Sequence, residues 1–235
     1  YKEALRLDPE SSLTHLNLGN AMARQGKLEV AIHHYTEALR IVPVYARAHT
    51  NLGLALARQG LYDEAIEHHT EALRIEPGFA EAHNNLANVL ARKGKLEEAA
   101  QHYTEALRLN PGYAEAHTNF GIAFAVQKRF DEAQHHFSEA LRLEPNSAEA
   151  HAILADLLLQ LGKVQEAEPY YKEAVRLNPG LKMARLRLSL ILASQGEFDR
   201  AKQHVSEVLR LDPDHKAAHQ LLERIEYLDS TSGKQ

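Results

Sequence analysis

Four asparagines stand at one position in successive copies of a repeated pattern, and their amide groups suit the recognition of a polypeptide backbone. Asn17, Asn51, Asn85 and Asn119 are 34 residues apart, and each follows a histidine by two residues. An amide side chain can donate to a peptide carbonyl and accept from a peptide N–H. Asparagine is a mediocre helix former, so four copies favour a binding role, although duplication of one unit would also copy a neutral asparagine. We call these four residues the amide ladder.

Charged residues accompany the ladder at fixed spacing. Arginines stand seven residues after its first three members, and glutamates stand four residues before the ladder position in later copies: Arg24, Arg58, Arg92, Glu81, Glu115 and Glu149. A surface of mixed charge suits a polypeptide better than a polyanion, although acids early and bases late in a helix also complement its dipole. Two further amides, Asn20 and Asn88, complete the candidate binding residues.

The fifteen histidines are also periodic. Six share one position and five share a second: His15, His49, His83, His117, His151 and His219, then His34, His68, His102, His136 and His204. Metal-binding helices usually carry ligands four residues apart, whereas the adjacent histidine pairs of this sequence point about 100° apart on a helix. Glutamates do lie four residues before three of the histidines, but neutral imidazoles that fill space as rings are the favoured interpretation. The sequence predicts no metal and no cofactor.

Composition and motifs exclude several functional classes. The chain of 235 residues is 44% hydrophobic, contains no cysteine and has a net charge of −5 with histidine neutral, so no overall basic field favours nucleic acid or an anionic membrane. No apolar run approaches the roughly 20 residues of a membrane span. The sequence lacks a phosphate-binding loop, a dinucleotide fingerprint and a nucleophile elbow, which argues against an enzyme.

The elements that position these residues are read from a proline period of 34. Seven prolines keep this spacing: Pro9, Pro43, Pro77, Pro111, Pro145, Pro179 and Pro213. Alanine stands twelve residues before most of them and a ring-bearing residue eight before. A fixed period of 20–50 residues marks a stacked array, and the apolar spacing within each unit is helical.

Turn residues divide each unit into two helices of about 13 residues. Gly26, Gly60 and their equivalents stand where a helix ends on a residue with positive φ, and Lys128 replaces glycine there in the fourth unit, which should strain that turn. Pro169 lies inside a predicted second helix, and we expect a kink or a late start of that helix.

A 34-residue helix–turn–helix that ends in proline resembles the tetratricopeptide repeat (TPR) family, over nearly the whole chain. The resemblance implies an all-α fold, a right-handed superhelical solenoid of antiparallel helix pairs whose first helices line a concave groove. It places the amide ladder on the groove wall. The two-carboxylate clamp of some TPR proteins is not expected, because Asn84, Glu149 and Ile153 occupy positions where the clamp needs lysine or arginine.

The run "HNNLA" and its relatives also resemble the asparagine-bearing repeats of protein O-linked N-acetylglucosamine transferases. There the equivalent asparagines hold the target polypeptide, which implies a peptide-binding role for Asn17, Asn51, Asn85 and Asn119. Ile153 and Arg187 occupy the ladder position in the last two repeats, which departs from that pattern. Two functions stay open: a scaffold that binds an extended polypeptide without catalysis, or the substrate-recognition arm of a larger enzyme such as a protein glycosyltransferase.

The repeat frame sets the predicted organisation. Six complete repeats are expected at 12–45, 46–79, 80–113, 114–147, 148–181 and 182–215. Residues 1–11 are read as the second helix of a truncated repeat, 216–228 as a capping helix and 229–235 as a flexible tail. The expected partner is a polypeptide, without nucleic acid or direct membrane contact. Self-association through the N-terminal end is a further expectation, because Tyr1, Leu5 and Leu7 would lack their first-helix partner.

Overall fold

The computed structural model describes residues 8–232, and all the regular elements in that range are α-helices. The first helices of the repeats are α1 (Ser12–Arg24), α3 (Ala46–Arg58), α5 (Ala80–Arg92), α7 (Ala114–Val126), α9 (Ala148–Gln160), α11 (Lys182–Ser194) and α13 (Lys216–Ser232). The second helices are α2 (Leu28–Ile41), α4 (Tyr62–Ile75), α6 (Leu96–Leu109), α8 (Phe130–Leu143), α10 (Val164–Leu177) and α12 (Phe198–Leu211). A helix begins at the first residue of every predicted repeat.

The chain forms two compact units, one ending at Ala123 and the other beginning at Phe124. In the first unit α1 packs on α2, α3 on α4 and α5 on α6, and α2 and α4 also contact the next first helices, α3 and α5. The second unit repeats this arrangement from α8 to α13. The predicted fold class, an all-α array of antiparallel helix pairs, is therefore confirmed.

Small residues beneath rings allow the two helices of a repeat to approach closely. The ring of Tyr35 covers Gly19, where a Cβ atom would lie 2.5 Å from a ring carbon, and the ring of His69 covers Gly53 at 2.8 Å. The alanines twelve residues before the prolines are fully buried in the same interface: Ala31, Ala65, Ala99, Ala133, Ala167 and Ala201. The two helices of a repeat touch at these positions, so only small side chains fit there.

The turns within repeats show why glycine recurs. The five repeat glycines adopt φ values between 73° and 83°, and Lys128 adopts φ 61° in the fourth repeat. A residue with a Cβ atom is disfavoured in this left-handed region. The prediction that Lys128 occupies a strained turn position is confirmed.

The late start expected of the helix that contains Pro169 does not occur. Helix α10 begins at Val164, in register with the other second helices, because its first hydrogen bond, from the Ala167 N–H to the Lys163 carbonyl at 3.0 Å, precedes the proline. The other expected outcome, a kink at Pro169, stays a prediction. Helix α13 continues to Ser232 instead of giving way to a flexible tail at residue 229; Asp229 there accepts from Lys202 Nζ at 2.9 Å. The open apolar strip of Tyr1, Leu5 and Leu7 lies outside the described residues.

None of the helices within residues 8–232 combines the length and apolar character needed to cross a bilayer.

Candidate functional site

A cavity of about 500 Å³ opens between the first helices of repeats one and two. It brings together four of the predicted binding residues, namely Asn20, Arg24, Asn51 and Arg58. Apolar side chains and one phenol complete its lining: Ala23, Leu28, Tyr35, Leu54 and Ala55. Each arginine is the last residue of its helix, so both guanidinium groups extend from helix ends into the same space.

Hydrogen bonds fix the orientation of the amides in this cavity. Asn20 Oδ1 accepts two bonds, from the Tyr35 hydroxyl at 2.9 Å and from Asn51 Nδ2 at 2.8 Å. With that oxygen engaged, Asn20 Nδ2 is turned away and makes no hydrogen bond within residues 8–232. Burial raises the pKa of Tyr35 against the opposing charges of Arg58 and Arg24, so the phenol stays a neutral donor.

The cavity arginines differ from those on the outer surface of the repeats. On the second helices, Arg40, Arg74, Arg108, Arg142, Arg176 and Arg210 each pair with the glutamate three residues earlier. Arg24 and Arg58 form no ion pair with any described residue, and no acidic side chain lines the cavity. The cavity therefore carries two positive charges that no acidic side chain of the described residues neutralises.

The amide ladder is only partly available to a ligand. Asn51 donates to Asn20 of the preceding repeat, and Asn119 donates to Asn84 of the preceding repeat at 3.2 Å. Asn85 is 6% exposed, and its Oδ1 accepts from Asn84 at 3.5 Å. The ladder therefore also joins adjacent first helices, and Asn85 is its least accessible member.

Asn20 and Asn88 have a structural role that the sequence analysis did not assign. Asn88 Oδ1 accepts from the Tyr103 hydroxyl at 2.6 Å, as Asn20 does from Tyr35, and Asp156 accepts from Tyr171. In the alternate repeats the ring position holds His69, Phe137 or Val205, and the acceptor position holds Leu54, Ile122 or Leu190. A repeat therefore has both the acceptor and the tyrosine hydroxyl or neither of them. This covariation between residues 15 apart is visible in the sequence.

Acidic groups gather near the opposite end of these helices in the first unit. Desolvation and the neighbouring Glu115 carboxylate raise the pKa of Glu81, while Arg47 lowers it. Glu81 and Arg92 lie on one face of α5, since eleven residues at 100° return almost to the same direction. Their separation along the axis is roughly 16 Å at 1.5 Å per residue, so acidic and basic groups occupy separate ends of the helix face.

The histidines form hydrogen-bonded pairs, which corrects the expectation that they only fill space. His15, His49 and His83 each bond through Nε2 to the carbonyl of the proline six residues earlier, at 3.1–3.2 Å. Because a carbonyl only accepts, Nε2 carries the proton and Nδ1 is an acceptor. The Nδ1 atoms of His34, His68 and His102 lie 2.9–3.1 Å from these acceptors and must donate.

Burial, followed by the charge of the paired ring, lowers the pKa of His34, His68 and His102. The rings of His34, His68 and His102 are therefore neutral near pH 7. Across residues 8–232, no group of three or more potential ligands is placed to hold a metal ion.

Sequence reasoning did not identify Tyr35, Leu28 or Leu54 as part of the site. Tyr35 was assigned to packing, and its hydroxyl reaches the site only because Gly19 lets the ring lie across α1. The 15-residue spacing from Asn20 was the signal that could have found it.

Family models match the chain over almost its full length. The model described as "Cilia and flagella-associated protein 70 C-terminal domain", a domain of tetratricopeptide repeats, matches residues 40–234. The model described as "Tetratricopeptide repeat" matches residues 12–43. No curated protein matches the sequence.

Solved structures share the fold. The Cut9–Hcn1 hetero-tetramer of APC/C superposes with a TM-score of 0.81 at 19% identity, over 95% of this chain and 44% of that chain. This chain thus spans less than half of that protein's length. PilF of Pseudomonas aeruginosa gives a TM-score of 0.78 at 24% identity, covering 93% and 98% of the two chains. YrrB, described as a TPR protein with an unusual peptide-binding site, gives 0.56 at 23% identity, covering 78% and 94%.

Proposed function

The chain belongs to the tetratricopeptide repeat family, and we propose that it binds an extended polypeptide on the first-helix face of repeats one to four, without catalysis of its own. We define this first-helix face by Asn17, Asn20, Asn51, Asn119, Arg24, Arg58 and Arg92. Tetratricopeptide repeats generally serve as protein-interaction scaffolds. YrrB, which shares the fold, is described as having a peptide-binding site.

The observation that carries the proposal is the cavity between α1 and α3. It combines amide groups, unpaired guanidinium groups and the aliphatic side chains of Leu28 and Leu54 in one open space of about 500 Å³. Ligand sites combine apolar lining with a few oriented polar groups, and this cavity has both. A polypeptide offers backbone groups for the amides and side chains for the apolar part.

The ladder extends the proposed contact beyond the cavity. Asn51 and Asn119 each use one amide hydrogen internally, which leaves the carbonyl oxygen and a second hydrogen for a peptide backbone. The side chain of Asn17 makes no hydrogen bond within the described residues. Asn85 contributes least because of its burial.

The proposal is tested with immobilised protein and a library of randomised ten-residue peptides. The native protein should retain a subset of peptides, and a synthesised member of that subset should bind measurably in solution. Asn17→Ala with Asn119→Ala removes two ladder amides, each worth roughly 0.5–1.5 kcal/mol in net hydrogen bonding, and should weaken binding about five- to 150-fold.

The matched control is Thr36→Ala with Thr104→Ala on the second helices, where each hydroxyl bonds only to its own helix. This control should bind like the native protein. Equal loss in the control and in the ladder variant, or no retained peptide at all, would reject the first-helix face as the site.

A further inference from the structure

We infer that the cavity between Arg24 and Arg58 binds a carboxylate group of the polypeptide ligand, an inference that rests on the proposed function. The shared chemistry is a carboxylate, supplied either by an aspartate or glutamate side chain or by a C-terminus. The proposed function requires only that the ligand is a polypeptide. This inference adds that the ligand group bound in the cavity is negatively charged.

The charge of the cavity is opposite in sign to the net charge of the chain. The chain as a whole carries a net charge of −5 with histidine neutral, yet this cavity contains two arginines and no acid. The arginines of the second helices are neutralised by glutamates three residues earlier, at 2.7 Å for Arg74 and Glu71. No described acid does the same for Arg24 or Arg58, so an anionic group of a ligand is the complementary partner.

The hydrogen bonds of Asn20 determine which of its polar atoms stays free for a ligand. Asn20 Oδ1 is occupied by the Tyr35 hydroxyl and by Asn51 Nδ2, so Asn20 presents its N–H₂ group. The guanidinium groups also only donate. Three side chains that line the cavity, Asn20, Arg24 and Arg58, thus have donors without a partner among the described residues, which matches an acceptor with several lone pairs such as a carboxylate.

The two cavity arginines lie at one end of the first-helix face. Arg24 and Arg58 stand at helix C-terminal ends, two turns beyond Asn17 and Asn51, and the equivalent residue is Arg92 in repeat three but Val126, Gln160 and Ser194 in later repeats. The basic end of the first-helix face is therefore confined to repeats one to three. Toward the other end of this face, Glu81 lies near both Glu115 and Arg47, so the charge there is mixed, whereas only basic residues carry charge in the cavity.

The walls of the cavity suit the carbon atoms that adjoin a carboxylate. Ala23, Leu28, Leu54 and Ala55 give the cavity apolar walls. The methylene groups of an aspartate or glutamate side chain, or the last side chain beside a C-terminus, would contact these walls while the carboxylate reaches the arginines. A bidentate contact from either guanidinium would fix its orientation.

The experiment compares the peptides that three proteins retain from randomised ten-residue libraries, one amidated and one with a free C-terminus. The proteins are the native chain, Arg24→Gln with Arg58→Gln, and the matched control Arg40→Gln with Arg74→Gln on the second helices. Circular dichroism first establishes that all three keep the same helical content.

The native protein and the control should enrich aspartate and glutamate, or free C-termini, and the cavity variant should retain peptides without that enrichment. A peptide selected by the native protein should bind the cavity variant at least about tenfold more weakly. The affinity for the native protein should also fall as salt is raised. Enrichment confined to the free library would assign the carboxylate to the C-terminus.

Retained peptides that are enriched neither in acidic residues nor in free C-termini, or enrichment that persists in the cavity variant, would overturn this inference and leave the proposed function standing. Failure of the native protein to retain any peptide would overturn both.

Discussion

The hydroxyl of Tyr103 donates to Asn88 Oδ1 at 2.6 Å, across the two helices of repeat three. The same contact joins Tyr35 to Asn20 in repeat one, and it is replaced in repeat two by His69 beside Leu54. Burial of the ring raises the pKa of Tyr103, so the phenol stays protonated and needs an acceptor. The polar and apolar versions of this pair alternate along the chain.

This pair predicts a conditional effect on stability. Asn88→Leu alone should lower the free energy of unfolding by about 1–3 kcal/mol, because it leaves the partly buried hydroxyl without an acceptor. Adding Tyr103→Phe should restore most of the loss, since Phe137 and Ile122 form that combination in repeat four. Urea unfolding followed by circular dichroism measures both. A double variant as unstable as Asn88→Leu would show that the hydroxyl is not the cause.

Lys128 predicts a stabilising substitution. At φ 61° it occupies the place where five other turns have glycine, and Lys128→Gly should raise the free energy of unfolding by about 1 kcal/mol. The control is Gln25→Gly, at a helix end with φ −84°, where glycine removes no strain and should be neutral or destabilising. The idea fails if the two substitutions change the thermal midpoint in the same direction.

His69 predicts both a stability gain and a pH effect. Its side chain is fully buried, neither ring nitrogen has a hydrogen-bond partner, and burial, with a smaller contribution from His68, lowers its pKa to about 4. His69→Phe introduces the ring that repeat four has at this position, Phe137. It should therefore stabilise the protein at pH 7 by about 1–3 kcal/mol, the usual cost of an unsatisfied buried polar group.

The sign of the pH effect follows from the lowered pKa. The unfolded chain takes up a proton at its ordinary pKa near 6.5, and the native chain does not until about pH 4. Native stability is therefore greatest above pH 6.5 and falls as the pH drops toward 4, by about 3 kcal/mol for this residue. The Phe variant should lose that part of the slope. An unchanged difference between the midpoints at pH 7.5 and 5 would contradict the buried, unpaired state of His69.

The histidine pairs predict a further pH dependence. Only one proton can lie between the Nδ1 atoms of His49 and His68, which are 3.0 Å apart, so charging both rings breaks the bond. The pKa of the second-helix partner is already lowered by burial and by His49, while Glu67 and Glu64 oppose this. Stability should therefore decline below about pH 6.5.

A natural comparison exists for this pair. Repeat five has Tyr170 beside His151 at the equivalent place, with ring centroids 5.8 Å apart. His34→Tyr, His68→Tyr and His102→Tyr together should reduce the fall in thermal midpoint between pH 8 and pH 5. The pairs would be irrelevant to pH stability if that triple variant and the native protein lost the same number of degrees.

The sequence predicted the fold because its signals are local. Prolines at one spacing and glycines at turns fix the helix ends without reference to distant residues, and ring and alanine positions name the packed faces. The burial of Asn85 was not predictable in the same way, since it depends on Asn84, which also bonds to Asn119 in the next repeat. The repeat period identifies equivalent positions. The solvent exposure of a residue at such a position also depends on neighbouring side chains that differ from one repeat to the next.

The binding residues were predicted in type but not in arrangement. The 34-residue spacing identified Asn51, Arg24 and Arg58, which line one cavity. It did not show that Asn51 donates one hydrogen to Asn20, because that bond joins two repeats. Asn51→Ala should accordingly cause a small loss of stability, offset in part by the better helix propensity of alanine.

The central claim is that the first-helix face of the first unit is where a polypeptide binds. It is tested most directly by nuclear magnetic resonance, through the side-chain N–H signals of asparagine and arginine during titration with a peptide selected from the randomised library. We expect saturable shifts for Asn20, Asn51, Arg24 and Arg58, with Arg40 and Arg74 on the second helices unchanged. Shifts confined to Arg40 and Arg74, with the cavity signals unmoved at saturation, would contradict it.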